Sequence, residues 1–325
     1  MSLTLAIPAH NDAGPLRQLL ARAATLDCVS RVVVVDDGSD EPLRTMDLRA
    51  IFPDLTLLRH ARARGPGAAR NHALAHVGTD FLLFVDADDL PTRELDGLMT
   101  DLAGQTFDVC LFQHHDTRAE QELRWGQTRY DLAFWQAAGL DLGALQEVTA
   151  EAALLLAQTA NYPWNKIYRT DFLRAHGIGC TEILVHEDIE LHWRSFLCAE
   201  RILASDRIGV IHHVSGDGAR LTNRRGAERL EVFGPLARLR DEMALRGAED
   251  YALPFHRFSI SLFDWIAGNI AQAHRPAFWA KVHHFLQAMP GPVRAVLADS
   301  DAALLARVET RAKSGSEKAK APSPA

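Results

Sequence analysis

The 325-residue chain predicts an α/β fold: a mostly parallel sheet with flanking helices, followed by a helical C-terminal region. Three observations carry this. Apolar strands and helical stretches alternate over the first 115 residues. The run Asp80–Val85 is almost continuously apolar, as a strand covered on both faces requires. From about Ala227 the pattern turns almost wholly helical.

The early strands are expected at Leu3–Pro8, Arg31–Asp36, Leu55–Arg59, Asp80–Val85 and Asp108–Phe112. Helices are expected between them at Pro15–Ala24, Leu43–Phe52, Gly67–His76 and Thr92–Leu102. Pro91 is expected to stop the fourth strand and open a helix. The pattern weakens over 116–160: Arg124-Trp125-Gly126 fits a short strand or a loop, and Leu145–Ala157 reads as helix. Glu187–Ala199 reads as an amphipathic helix and Arg207–Val214 as a strand. Later helices are expected at Glu228–Arg246, Phe255–Ala273, Ala277–Ala288 and Ala302–Thr310. Lys313–Ala325 is rich in Lys, Ser, Pro and Ala without apolar period, and a disordered tail is expected there. The expected domains are therefore 1–226, a helical region 227–310 and a tail 311–325.

A hydrophobic content of 47% supports a proper core. A net charge of −7 argues against a nucleic-acid partner or a polybasic membrane binder. The four cysteines form no CxxC and read as buried free thiols of a reducing compartment. Met1–Pro8 lacks a basic n-region and reads as a core strand rather than a signal peptide. No apolar run approaches the roughly 18 residues of a membrane span.

Chemistry-bearing residues gather after the strands. Asp86-Ala87-Asp88-Asp89 sets three carboxylates at one strand end, which suits a hard divalent cation, or else caps the next helix. Ligands of open α/β sheets bind outside the carboxyl ends of strands. Asp36-Asp37-Gly38-Ser39 reads either as a turn or as a carboxylate directed to a base or sugar hydroxyl. Arg59–Gly67 is a basic, Gly-rich loop feeding a helix; it is a phosphate site or a solvated loop. His186-Glu187-Asp188-Ile189-Glu190 either complements a helix dipole or presents a general base. Of His212 and His213 only one can face the crevice, as a metal ligand or as an ordinary histidine. Arg220, Arg224 and Arg225 follow in a polar loop.

Read together, these motifs resemble family 2 glycosyltransferases, the inverting group with the GT-A fold, from Leu3 to about Ser215. Ile7-Pro8-Ala9-His10-Asn11 is similar to the family's opening strand and loop. Val33–Ser39 carries an Asp-Asp-Gly-Ser signature, Ala69-Arg70-Asn71 an Ala-Arg-Asn, and Asp86–Asp89 an Asp-x-Asp-Asp. Trp164–Arg169 is similar to an Asn-Lys-Tyr-Arg stretch, and Glu187-Asp188 to the family's base motif. Two departures stand out. The usual Asn ahead of Ala-Arg-Asn is missing, and the aromatic-Arg-x-x-x-Ser stretch is replaced by His212-His213-Val214-Ser215.

The resemblance implies a nucleotide-binding half (about 1–115) and an acceptor half (about 116–226). It implies a nucleotide-sugar donor, a UDP-sugar by expectation, and Mn²⁺ or Mg²⁺ held by Asp88 with His213. Pro8, His10, Asn11, Asp37, Arg70, Asp86, Asp89 and Lys166 would contact the donor. Asp188 would be the base, with Glu187 the second choice. The acceptor would be a glycan or lipid-linked hydroxyl, in bacterial surface polysaccharide synthesis. The expected location is cytoplasmic, at most touching the inner membrane face. Two rivals are a sugar-phosphate nucleotidyltransferase, opposed by the absence of a Gly-rich basic loop after the first strand, and a non-catalytic binding or assembly protein.

Overall fold

The computed structural model describes residues 2–140, 143, 145–214 and 223–320, with side chains to 315. It divides into two compact units, Met1–Gly216 and Asp217–Ala325.

The first unit runs β1 (Leu3–Ala9), α1 (Ala13–Ala23), β2 (Val29–Asp36), α2 (Thr45–Arg49), β3 (Leu55–Arg59), α3 (Pro66–His76), β4 (Phe81–Phe84), β5 (Leu90–Pro91), α4 (Glu94–Asp101), β6 (Val109–Asp116), α5 (Arg129–Ala137), β7 (Leu145–Glu147), α6 (Ala150–Leu156), β8 (Lys166–Arg169), α7 (Thr170–Ala175), α8 (Ile189–Cys198) and β9 (Ile202–His212). All strands form one sheet in the order β3-β2-β1-β4-β8-β6-β9-β5, with β7 on β9. Strands β1 to β4 are mutually parallel, as is β6 with β9. Strand β8 lies antiparallel between β4 and β6, and β5 and β7 are antiparallel to β9. The sheet is thus mixed. The inserted β8 has only four residues, begins with a lysine and has no apolar run to betray it.

Buried Val32–Val35 and Leu82–Val85 show why β2 and β4 read as continuous apolar runs: helices cover both faces. Because β1 to β4 run the same way, the loops after them share one edge of the sheet. The described cysteines carry free thiols, three of them buried.

Several boundaries differ from expectation. Pro91 does not open a helix: Leu90 and Pro91 pair with Ile211 and Val210 at the sheet margin, where the missing N–H costs little. Leu145–Ala157 splits into β7 and α6, because Thr149 caps α6 by accepting the Ala152 N–H at 3.2 Å. Arg124–Gly126 lies in a loop after a 3₁₀ turn, Thr117–Glu122. Helix α8 begins only at Ile189, so Glu187 and Asp188 precede its first turn.

The second unit comprises α9 (Phe233–Arg246), α10 (Ala252–Asn269), α11 (Arg275–Gln287), α12 (Gly291–Ser300) and α13 (Ala302–Lys320). Leu236, Phe255, Phe263, Phe278 and Phe285 form its core. Buried Arg229 sits 4.8 Å over the Trp265 ring. Two corrections apply. Helix α12 was not expected. Helix α13 continues through the expected tail to Lys320, burying Val308 and Ala312 and packing against α11. Its contact residues are small, and Gly315 lies against Trp279, so hydropathy alone hides the face. Residues 321–325, and Arg220 and Ser215, lie outside the described residues.

Buried Asp108 joins three strands. It pairs with Arg169 at the end of β8 and accepts the N–H groups of Glu200 (2.7 Å) and Arg201 (3.2 Å) just before β9. Burial alone would raise its pKa, but these bonds hold it below the usual value. Its contribution is therefore present above the unfolded pKa and is lost as pH falls through the depressed folded value. Asp108→Ala should cost about 1–3 kcal/mol in urea unfolding at pH 7. A change under about 0.5 kcal/mol would contradict this joining role.

Candidate active site

The loop after β2 is organised by its own two acids. Buried Asp36 accepts the N–H groups of Ser39 (2.9 Å) and Leu43 (3.1 Å) and pairs with Arg59. Asp37 accepts the N–H groups of Arg64 (2.9 Å) and Gly65 (2.8 Å) and meets His60 Nδ1 at 2.6 Å. Asp37 therefore fixes the basic loop. The two loops approach so closely that a Cβ on Gly38 (φ 69°) would lie 2.5 Å from the Ala63 nitrogen. Of the loop's arginines, Arg59 is held by Asp36, and exposed Arg64 reaches Glu182 at 2.7 Å.

The loop after β1 joins the same assembly. His10 Nδ1 lies 2.9 Å from the Asp37 carbonyl oxygen. The Asn11 N–H donates to Ser39 Oγ at 2.9 Å, and its side chain exchanges hydrogen bonds with Asp40 at 3.1 and 2.9 Å. Pro8, partly buried near the end of β1, leads into them. The structure thus brings Pro8, His10, Asn11 and Asp37 into one wall.

Arg70, on α3 and only 3% exposed, connects the two acidic motifs. One guanidinium nitrogen meets Asp86 Oδ1 at 2.6 Å and another meets Glu187 Oε1 at 2.8 Å. The helix can come this near because residue 67 is glycine: a Cβ there would lie 2.2 Å from the Thr181 carbonyl oxygen. Asn71 pins the facing segment, accepting the Cys180 N–H at 2.8 Å and donating to its carbonyl at 2.9 Å.

Within the acidic cluster each carboxylate has a different environment. Asp86 faces Arg70. Asp89 is fully buried, with both oxygens 3.0 Å from His212 Nδ1, and it accepts the His213 N–H at 3.0 Å. Burial raises the Asp89 pKa against the opposing pull of His212. The His212 ring stacks on Trp164 at 4.7 Å; burial would lower its pKa, but Asp89 carries it above the usual value. It is His212 whose ring stands on the acidic loop, whereas His213, the expected metal ligand, meets Asp89 through its backbone. Behind Trp164 lies His114, pushed down to about 3 by burial and hence neutral. Asp88 is partly exposed. Sequence reasoning did not assign Asp12, whose pKa is raised by burial and then by the charges of Asp88 and Asp86. Its place after the first parallel strand was the available signal.

Asp188 stands just before α8. Burial, then the neighbouring Glu187 charge, push its pKa up to about 8; Arg70 and Lys166 pull the other way. Lys166 is fully buried, donating to the Tyr162 carbonyl at 2.8 Å and to Asn165 Oδ1 at 2.6 Å. Burial brings its pKa down to about 7, opposed by Asp188 and Asp131. It was expected at the donor, but it is fully buried, with no surface to offer a ligand.

Among the described residues no group of three His, Cys, Asp or Glu side chains is arranged to hold a metal ion. The donor set still suits Mg²⁺ or Mn²⁺ brought in with a diphosphate. Such ions are commonly held by one or two carboxylates plus substrate phosphates rather than by an all-protein cage. The arrangement offers a partly exposed carboxylate for a cation, a buried guanidinium between two acids, and a carboxyl group that titrates near neutrality.

Residues 4–176 match the family model described as Glycosyl transferase family 2. The pre-mycofactocin glycosyltransferase of Mycobacterium tuberculosis is 32% identical over 219 residues, covering 65% of this chain and 42% of that protein. The poly(ribitol-phosphate) beta-N-acetylglucosaminyltransferase TarS of Staphylococcus aureus is 27% identical over 209 residues, covering 62% of this chain and 34% of that one. The chain therefore aligns with well under half the length of these relatives. The solved structure of S. aureus TarS 1–349 in complex with UDP-GlcNAc superposes with a TM-score of 0.73 at 21% identity, over 98% of this chain and 92% of that one. The mannosyltransferase PcManGT from Pyrobaculum calidifontis, in complex with GDP-Man and Mn²⁺, gives 0.54 at 18% identity, over 97% and 86%. These likenesses establish a GT-A fold with a helical C-terminal region.

Proposed function

The chain belongs to glycosyl transferase family 2, and we propose that it is an inverting, metal-dependent glycosyltransferase that moves a sugar from a nucleotide-diphosphate sugar to an acceptor hydroxyl. The observation that carries this is the Arg70 bridge, which sets the Asp86–Asp89 loop beside Glu187-Asp188. Donor phosphates and acceptor hydroxyl can then meet in one place.

Pro8, His10, Asn11 and Asp37 form the nucleotide wall, Asp37 by holding the loop that carries Arg64. Asp88, beside Asp86, would hold Mn²⁺ or Mg²⁺, with His213 a further candidate ligand. A bound divalent ion would neutralise charge growing on the leaving diphosphate. Arg70 pairs with Asp86 and fixes its orientation. Asp188 takes the proton from the acceptor hydroxyl as its oxygen attacks the anomeric carbon. The bond to the diphosphate breaks on the opposite face, so one displacement inverts the centre. Glu187 is held by Arg70, which leaves Asp188 as the base. Lys166 sits behind Asp188 and lowers its pKa toward the working range.

UDP is the nucleotide we favour, because the TarS structure holds UDP-GlcNAc. A glycan or lipid-linked acceptor in surface polysaccharide synthesis is favoured by two relatives, TarS and the succinoglycan biosynthesis protein ExoU of Rhizobium meliloti. Among the described residues no helix is long and apolar enough to cross a membrane. We place the reaction in the cytoplasm, where the acceptor could bring the enzyme to a membrane face.

Nucleotide release from a panel of UDP-, GDP- and dTDP-sugars should be metal-dependent for one donor, abolished by EDTA and reduced at least tenfold in Asp88→Ala. Turnover that survives both EDTA and Asp88→Ala would remove the metal from the account. Release of pyrophosphate from a nucleoside triphosphate and a sugar phosphate would instead identify a nucleotidyltransferase. No turnover and no donor-induced thermal shift would leave a binding protein.

The pH profile gives a second test. A base must be deprotonated, so kcat/KM should rise with pH through a midpoint near 8 before it levels off. Asp188→Asn should lose about 10²–10⁴-fold. A flat profile, or near-normal rates in Asp188→Asn, would overturn the base assignment.

A further inference from the structure

Away from the transfer centre, the first unit carries a cavity of about 500 Å³ lined in part by Thr92, Glu94, Asp101, Trp125, Asp206 and Arg207. That volume is in the range of small-molecule sites. The Trp125 indole is 62% exposed, unusual for so large an apolar side chain, yet it is held in place. It stacks on the buried His115 ring, centroids 3.6 Å apart and planes within 15°. His115 is fixed on both sides: Nδ1 accepts the Gly126 N–H at 3.0 Å, which leaves the proton on Nε2 to bond Glu120 at 2.8 Å.

The rest of the lining includes four charged side chains. Arg207 bonds Glu94 and Asp101, both at 2.7 Å. Its guanidinium lies across α4 close to Gly97. One guanidinium among three carboxylates gives the lining an excess of negative charge. A phosphate or an acidic ligand would be repelled. A fixed aromatic face beside ordered carboxylates suits a neutral polyhydroxyl ring: C–H groups of the ring pack on the negative π face, and hydroxyls donate to the remaining carboxylate lone pairs.

We propose that this cavity is a second saccharide site that takes a neutral sugar unit of a glycan chain, with Trp125 as its platform. Thr92 lies three residues beyond Asp89, a reach of at most roughly 10 Å. A glycan seated here can therefore extend toward the acidic loop while its bound unit stays out of the chemistry. The proposal extends the transfer reading but rests on the Trp125 cavity and not on Asp188.

The test measures binding to the full chain without donor, by calorimetry or ligand-observed NMR. The probes are cellotetraose, maltotetraose, mannotetraose and tetragalacturonate. At least one neutral tetrasaccharide should bind saturably. Trp125→Ala should weaken it tenfold or more, Trp125→Phe should keep it within about threefold, and Asp188→Asn should leave it unchanged. Donor hydrolysis should be unaltered in Trp125→Ala, which separates this site from the transfer centre. No saturable binding of any neutral probe, equal binding by Trp125→Ala, or preference for tetragalacturonate would overturn the proposal. Lost transfer with intact glycan binding would overturn the transfer reading alone.

Discussion

One buried guanidinium organises this molecule. Arg70 has little solvent around it, and a buried cation is costly unless it is paired. Its pairing with Asp86 and Glu187 makes two sequence-distant segments mutually dependent: the loop after β4 and the segment that opens α8. A planar fork can serve two carboxylates at once where an ammonium could not do so with the same fixed geometry. Much nearby detail serves that contact. Gly67 lets α3 approach, Asn71 pins the segment at Cys180, and Glu187, held by Arg70, raises the pKa of Asp188 beside it.

The remaining polar groups follow the same logic of mutual satisfaction. Asp37 orders the basic loop with backbone N–H groups. Asp89 rests on His212, which rests on Trp164. Lys166 is bonded to backbone and amide oxygens and acts on Asp188 through the field rather than by contact with a ligand. Asp86 and Asp88 both stay partly exposed while Asp89 is buried, and Asp86 is the one that pairs with Arg70. The lining around Trp125 carries an excess of acidic groups, whereas Arg59 and Arg64 lie on the loop that Asp37 holds.

The α/β character, strands β1 to β4 and helices α1 to α4 were legible because apolar runs bounded by Gly, Pro and Asp report burial directly. The motifs at Asp36–Ser39, Ala69–Asn71, Asp86–Asp89 and Glu187-Asp188 also marked where the chemistry gathers. What pattern reading could not supply was pairing. Strand β8 is too short and too polar to announce that it separates β4 from β6. Pro91 looked like a helix start because nothing local says that β9 passes alongside. The continuation of α13 beyond Thr310 was hidden because its contacts fall on small residues such as Ala312 and Gly315. Lys166 looked like a ligand because its burial depends on residues from several segments. The choice between His212 and His213 needed the register of β9 against Asp89.

The account depends most directly on Arg70 coupling the two acidic motifs, and a double-mutant cycle measures that coupling. Asp86→Asn, Glu187→Gln and the double variant would be compared by denaturant unfolding at pH 7. Each single change leaves the buried guanidinium one anionic partner and the double change leaves none. The account predicts a double variant less stable than the sum of the singles, with a coupling of about 0.5–3 kcal/mol. Additive effects, within a few tenths of a kcal/mol, would contradict it.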